Sequence, residues 1–152
     1  MTKSAKLEST LVGVAGEYLV AAELTLRGHV ASITLRNSRG IDVIASSADG
    51  SKSANFQVKS NSSGKPSWIL NRKSESFFAE NHYYIFVALL DLGTRPDFFV
   101  VPSEAVARYL RADHAKWMSS TKRDGSPHTD TSMRKFDDPS LEYLERWDLI
   151  DL

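Results

Sequence analysis

Residues 40–60, GIDVIASSADGSKSANFQVKS, form the stretch that most constrains the fold of this chain. Apolar and polar side chains alternate on both sides of Asp49-Gly50, which is the pattern of a β-hairpin. A two-residue type I′ turn, which this dipeptide favours, places Asp42 opposite Gln57. Lys59 shares the face of Gln57 because strand side chains alternate with a period of two. The hairpin therefore brings Asp42, Gln57 and Lys59 together, unless a four- or five-residue loop shifts the register.

The segments around this hairpin predict a helix and a strand before it, and two strands and two helices after it. Apolar residues recur at spacings of three and four from about Ser9 to Arg27, which indicates a helix that ends at Gly28. A second helix is predicted from Ser103 to about Trp117, and a short last helix from Pro139 to Trp147. The repeating positions of the first helix are Leu11, Ala15, Tyr18, Ala22 and Leu26; the strand segments are VASITL, IDVIAS, ANFQVKS, the doubly buried HYYIFVALL and its neighbour DFFVVP. These elements predict an α/β or α+β fold with a central mixed sheet flanked by helices.

Length and composition indicate one globular domain spanning residues 1–152. The chain has 152 residues, of which 41% are hydrophobic and 25% charged, and this is the ordinary range for a single core. Cysteine is absent, which excludes a disulfide framework and a thiolate metal site. The sequence shows no signal peptide and no apolar run of membrane-spanning length. A soluble, cytoplasmic protein is therefore expected.

Charge is unevenly distributed along the chain although the formal net charge is zero. Residues 25–75 contain eight basic side chains against three acidic ones. The basic ones are Arg27, Arg36, Arg39, Lys52, Lys59, Lys65, Arg72 and Lys73. This local excess could contact a polyanion, or it could be an ordinary solvated surface; the counts alone favour neither.

Glu17 lies on an apolar stripe of the first predicted helix. Its neighbours at three and four residues are Gly13, Val14, Val20 and Ala21, so its carboxylate should face inward or along a cleft. Glu23 differs because Arg27 follows it by four residues, the spacing of an exposed ion pair. Glu23 is therefore expected to stabilise the helix rather than to take part in a functional site.

An inward glutamate, a strand aspartate and a Gln-x-Lys pair on the neighbouring strand suit a hard divalent cation. Carboxylate and carbonyl oxygens are the ligands that Mg²⁺ or Mn²⁺ prefers. Such an ion polarises a phosphodiester and acidifies a bound water, and a nearby ammonium can orient that water. Glu17, Asp42, Gln57 and Lys59 thus predict hydrolytic phosphodiester chemistry.

Residues 13–60 resemble the PD-(D/E)XK nuclease superfamily, which includes restriction endonucleases and archaeal Holliday-junction resolvases. GVAGEYLVAAELTLRGH is similar to the family's first helix, RGIDVIA to its aspartate strand and FQVKS to its (D/E)xK strand. The resemblance implies a restriction-endonuclease-like α-β-β-β-α-β core. It also implies Asp42 as the central metal ligand, the Val58 carbonyl and Glu17 as further ligands, and Lys59 beside the attacking water. Ile41 stands where the family name has proline, a mild change, whereas Gln57 replaces an acidic residue and removes one negative charge.

The resemblance implies a Mg²⁺- or Mn²⁺-dependent DNA endonuclease, structure-selective or resolvase-like, acting as a homodimer without an organic cofactor or a membrane. DNA phosphates would be held by the basic stretch, through Arg36, Arg39, Lys65, Arg72 and Lys73. The alternative is a catalytically weak nuclease-fold module that binds nucleic acid or a protein partner. Gln57 is the residue that keeps this alternative open.

Overall fold

The computed structural model of the protein describes residues 6–35 and 39–152. Two α-helices are present in this part of the chain, α1 (Ser9–Leu26) and α2 (Ser103–Ser119). The strands are β1 (Val30–Ile33), β2 (Val43–Ser46), β3 (Ser53–Asn61), β4 (Ser67–Asn71), β5 (His82–Ala88), β6 (Asp97–Pro102) and β7 (Met133–Asp137). Two short 3-10 helices occupy Arg72–Glu75 and Trp147–Leu149.

Five of the strands form one mixed sheet in the order β1-β2-β3-β5-β6. β3 and β5 run parallel, and the other neighbours are antiparallel. β4 and β7 form a separate two-stranded antiparallel sheet. The expected α/β fold with a central mixed sheet is confirmed. In detail, the connection from β3 to β5 contains β4 and a 3-10 helix, and α2 follows β6.

The two faces of the large sheet are covered by different elements. On one face, Val20 and Leu24 of α1 pack against Phe56 and other buried side chains of β2, β3, β5 and β6. On the other face, α2 and the β4–β7 sheet cover the alternate residues of β5 and β6. Trp68 ties the small sheet to the large one, because its buried Nε1 donates a hydrogen bond of 3.1 Å to the Val87 carbonyl. All seven residues of β5 are buried, as expected for a strand covered on both faces.

The β2–β3 hairpin has the predicted register but a different turn. Val43 pairs with Phe56 as predicted, and Asp42, just outside the ladder, donates its N–H to the Phe56 carbonyl. The turn is a four-residue loop closed by a hydrogen bond of 3.0 Å from Ser47 N–H to the Lys52 carbonyl, and of its central pair only Gly50 has positive φ. A type I′ turn needs positive φ at both central residues, so that prediction was wrong. The register is unchanged because the loop takes one extra residue from each strand.

The apolar residues whose spacing predicted α1 lie on the side of the helix that faces solvent. Leu11, Tyr18 and Leu26 are 51%, 66% and 82% exposed. The buried positions are Val12, Gly16, Val20 and Leu24, spaced four residues apart. α1 is therefore apolar on both sides, and the spacing of its apolar residues alone does not show which side meets the sheet.

The C-terminal segment is not the helix that was predicted from Pro139 to Trp147. Leu141 and Glu145 have positive φ, Leu144 forms an isolated bridge to Phe99, and only Trp147–Leu149 is a 3-10 helix. The Asp138 carboxylate accepts backbone hydrogen bonds of 3.0 and 2.9 Å from the two residues after Leu141. These contacts satisfy the backbone without a helix.

Candidate active site

Asp42, Gln57 and Lys59 lie where β2 begins beside the middle of β3. Asp42 directly precedes the first β2 residue, and its N–H donates a hydrogen bond of 2.8 Å to the carbonyl of Phe56, the residue before Gln57. Gln57 and Lys59 lie on one face of β3 by the alternation of strand side chains. Phe56 and Val58 lie on the other face and enter the core beneath α1. The structure thus brings Asp42 near Lys59, with Gln57 on the face of Lys59, and the joint role of the three side chains stays a prediction.

The Asp42 carboxylate is half-buried and directed at the backbone of β3. Its Oδ2 accepts a hydrogen bond of 2.7 Å from Val58 N–H. Burial raises the pKa of Asp42 above its ordinary value, and the Val58 N–H and the Lys59 ammonium offset only part of this rise. A carboxylate that is partly desolvated and only partly compensated can gain from an added cation.

The oxygen atoms around Asp42 fit a hard divalent cation. Val58 N–H points toward β2, and the N–H and C=O of one strand residue point the same way, so the Val58 carbonyl also faces Asp42. The Gln57 amide can supply a third oxygen. Among the described residues no group of three His, Cys, Asp or Glu side chains converges, so any metal here depends on amide and backbone oxygens. Mg²⁺ accepts such ligands and keeps several waters.

Glu17 occupies the flank of α1 that borders β3. It is half-buried and follows Gly16, the helix residue that contacts Ser60 and Val58 of β3. Its predicted inward position agrees with this burial, and its role as a metal ligand stays a prediction. Glu23 forms the predicted pair with Arg27 at 2.5 Å, and Arg95 contacts the same carboxylate at 3.0 Å.

A cavity of about 900 Å³ opens over the face of β3 that carries Gln57 and Lys59. Its floor also includes Tyr84, which pairs with Gln57 in the parallel β3–β5 register. Its wall is built by β4 and the turn after it: Ile69, Leu70, Asn71, Lys73, Ser74, Ser76 and Phe77, with Arg39 and Gly40 on the far side. Three basic side chains and no acidic one line the cavity. Its electrostatics therefore favour an anion.

Arg39 and Lys73 are the two predicted phosphate-binding residues that line this cavity. Arg72 forms an ion pair of 3.0 Å with Asp130 on the exposed side of the small sheet. Lys65 is exposed in the β3–β4 connection. Arg36 lies outside the described residues. Of the five predicted phosphate-binding residues, two therefore line the cavity, two lie elsewhere on the surface, and one is outside the described residues.

Tyr84 and Phe77 are cavity residues that sequence reasoning missed. Tyr84 belongs to the run HYYIFVALL, which the sequence predicts as a doubly buried strand, and its fully buried side chain stands beside Gln57. Burial raises the pKa of Tyr84, and the nearby Asp42 carboxylate adds to the rise. Phe77 contacts Gly40, whose φ of +64° fits the turn leading to Asp42. If the run HYYIFVALL had been predicted to pair in parallel with FQVKS, Tyr84 would have been placed beside Gln57.

Comparisons with known proteins show the fold of the chain but not its catalytic activity or metal dependence. No protein-family model and no curated protein matches the chain. Among solved structures, the bacterial homing endonuclease I-Ssp6803I matches with a TM-score of 0.53 and 15% identity, over 95% of this chain and 91% of that one. The Holliday junction resolvase Hjc of Archaeoglobus fulgidus matches with a TM-score of 0.47 and 13% identity, over 82% of this chain and 83% of that one. At 15% identity the likeness to I-Ssp6803I shows the fold alone, which is restriction-endonuclease-like.

Proposed function

We propose that this chain, which has the restriction-endonuclease-like fold, is a Mg²⁺- or Mn²⁺-dependent DNA endonuclease. One observation carries the proposal: the Asp42 carboxylate accepts a hydrogen bond from Val58 N–H and lies near Lys59, and Lys59 and Gln57 line a cavity with further basic side chains. The fold neighbour described as a homing endonuclease supports the nuclease class. A compact domain suits structure-selective or weakly specific cleavage, as in a resolvase.

The metal-binding role falls to the oxygens around the start of β2. Asp42 is the central ligand, the Val58 carbonyl and the Gln57 amide complete the β-hairpin side, and Glu17 approaches from α1 directly or through water. When bound, the cation acidifies a water and stabilises negative charge on the phosphate. The Val58 N–H holds Oδ2 of Asp42 and thereby fixes the orientation of the carboxylate.

Lys59 is the residue placed to act on the reacting phosphate. It lies on the same face as Gln57, and its ammonium is close enough to Asp42 to lower the pKa of that carboxyl. From this position it orients the attacking water and neutralises charge that builds on the phosphorus oxygens. Arg39 and Lys73 hold the neighbouring phosphates, with Lys65 and Arg72 as outer contacts, and a phosphate contact by Arg36 stays a prediction from the sequence.

Gln57 makes the metal site less negative than an acidic residue would. Losing one carboxylate weakens the attraction for the ion, so high Mg²⁺ concentrations are expected for full activity. The same feature favours the second candidate function, a catalytically weak module that binds nucleic acid or a protein partner. Cleavage of two strands favours a homodimer for the first candidate, and a cytoplasmic location suits both.

Cleavage assays with paired variants separate the two candidates. Branched, nicked and linear DNA would be incubated with Mg²⁺ or Mn²⁺ and the wild type, Asp42→Asn or Lys59→Ala. We expect cleavage by the wild type and a loss of at least about a hundredfold in each variant. Asp42→Asn keeps an oxygen for the Val58 N–H and removes a partly buried charge, so its melting temperature should not fall. Equal cleavage by all three proteins would refute the endonuclease proposal, and binding without cleavage would support the second candidate.

A further inference from the structure

The outer face of α1 is an uncharged apolar surface. It consists of Leu11, Ala15, Tyr18, Ala22 and Leu26, and the three large side chains are at least half exposed. Only two charged residues occur between Ser9 and Leu26, namely Glu17 and Glu23, and both lie half-buried on the flanks of the helix. Surface helices of soluble domains normally carry charged residues on their outer face. A helix that is apolar all round is normally covered on both sides.

We propose that a second copy of the chain covers this outer face of α1, in an antiparallel helix pair with its two-fold axis near Tyr18. A two-fold interface must be self-complementary, because the same patch meets itself. The outer face satisfies this condition in its order of side chains, which is Leu, Ala, Tyr, Ala, Leu. Antiparallel pairing places Leu11 against Leu26 of the second copy and Ala15 against Ala22, with the two Tyr18 side chains at the centre.

Side-chain size and helix dipoles both favour this pairing. Alanine at positions 15 and 22 allows the two helix backbones to approach closely on each side of the tyrosines. Antiparallel helices place the positive end of each macrodipole beside the negative end of the other. Leu7 and Val30, which are 43% and 60% exposed, extend the apolar surface beyond the two ends of α1. All of these features belong to the single chain, and all of them favour pairing with a second copy of the same chain.

A lipid surface is the other occupant that an apolar helix could suggest. The sequence was expected to contain no apolar run of membrane-spanning length, and that expectation was wrong, because by length and hydropathy α1 could span a bilayer. However, its Val12–Leu24 stripe packs against the sheet, so α1 is the cover of a folded core. Helices that lie on membranes carry Lys and Arg beside their apolar face, and α1 has neither between Ser9 and Leu26. The second copy therefore fits better than the membrane.

The size of the outer face sets the expected strength of the dimer. An 18-residue helix is about 27 Å long. A pair of such helices buries less than the roughly 800 Å² per partner that a standard interface provides. We therefore expect dissociation in the micromolar range. The cavity lies on the opposite face of the sheet and stays open in this dimer, so the inference is independent of the nuclease proposal.

Molar mass as a function of concentration tests the dimer directly. Light scattering or sedimentation should give a mass near the 16.9 kDa of the chain at about 1 μM and near twice that value at about 500 μM. Tyr18→Asp places two like charges at the two-fold axis and should keep the protein monomeric. Leu92→Asp is the matched control, because Leu92 is fully exposed and lies outside α1. A wild type that is monomeric at all concentrations would overturn the proposal.

Cysteine cross-linking tests the antiparallel register, since the chain has no cysteine of its own. Ala15→Cys and Ala22→Cys proteins should form a mixed disulfide dimer when combined under mild oxidation. Neither protein alone should cross-link to the same extent, and Ala48→Cys in the hairpin loop serves as the background control. Self-cross-linking of each single variant would indicate a parallel pair and contradict the proposed register. Binding of the monomer to neutral phosphatidylcholine vesicles, without dimers in solution, would assign the outer face to a membrane.

Discussion

Gly16 of α1 lies directly against Ser60 of β3. A Cβ atom on Gly16 would stand 1.8 Å from Ser60 Oγ and 3.0 Å from Ser60 Cβ. Alanine at position 16 therefore requires Ser60 Oγ to turn away and, because Ser60 Cβ would lie at 3.0 Å, moves the helix and the strand apart by a few tenths of an ångström. Glu17 follows Gly16 and Lys59 precedes Ser60, so this contact sets the separation between two candidate active-site residues.

Gly16→Ala is expected to destabilise the protein by about 2 kcal/mol and to reduce cleavage, because it displaces α1 from β3. The melting temperature should fall by about 5 °C. Gly16→Ala combined with Ser60→Gly removes the overlapping atoms and should recover most of both losses.

Gly13→Ala is the control for this pair of variants. Gly13 lies in the same helix with no atom within 4 Å of its would-be Cβ. Alanine there should stabilise the protein by about 0.5–1 kcal/mol. If Gly16→Ala and Gly13→Ala melted at the same temperature, the tight contact with Ser60 would be disproved.

Gln57→Glu should lower the Mg²⁺ concentration that gives half-maximal cleavage by about tenfold. A second carboxylate beside Asp42 strengthens the attraction for the cation, and tenfold corresponds to about 1.4 kcal/mol. Asn55→Asp adds the same charge on the same face of β3, two residues farther from Lys59, and should have a much smaller effect. Equal shifts in the two variants would mean that Gln57 does not contact the ion.

Lys73→Ala should weaken DNA binding for all sequences alike. Lys73 lines the cavity, and a lost phosphate contact reduces the dependence of binding on salt by about 0.9 in the log–log slope. Lys52→Ala is the control, because Lys52 pairs with Asp151 at 2.5 Å in the hairpin loop, remote from Gln57. An unchanged salt slope in Lys73→Ala would remove this residue from the phosphate contacts.

His82 should make the folded state less stable in acid. It is 3% exposed and stacked edge-on against Phe77 and Tyr84, and burial lowers its pKa from 6.5 to about 4. Below pH 6.5 the unfolded chain takes up a proton that the folded chain refuses, so stability falls as the pH drops toward 4. The full loss is about 3 kcal/mol.

Denaturant unfolding at pH 7.5 and pH 5 measures this effect. The wild type should lose about 2 kcal/mol more than His82→Phe between the two values, since phenylalanine does not titrate. Phenylalanine keeps an aromatic ring at this buried position, so the two proteins differ mainly in whether residue 82 can take up a proton. The same loss in both proteins would assign the acid sensitivity to other groups.

The position of Asp42 could be predicted from the sequence because two independent features agree. The alternation of side chains defines the two strands, and the Asp-Gly pair marks the centre of the loop. The exact turn type did not matter, since a symmetric loop of two or four residues leaves Val43 paired with Phe56 and Asp42 next to that pair. Local sequence therefore determined this part of the candidate site.

The cavity could not be predicted because it depends on contacts between distant segments. Tyr84 joins the site only through the parallel pairing of β3 with β5, which crosses a connection of about twenty residues. β7 was not recognised, and its partner β4 supplies the cavity wall. For α1, an apolar pattern on both sides left the buried face undetermined. Long-range packing decided each of these features.

The wall of the cavity and its floor belong to separate pieces of the chain. The residues that face Gln57 and Lys59 from β4 and the following turn lie in one excursion between β3 and β5. That excursion begins and ends on adjacent parallel strands, so its length and content can change without altering the hairpin that holds Asp42. Grafting a different excursion at this point offers a route to retargeting the protein to new substrates on an unchanged scaffold.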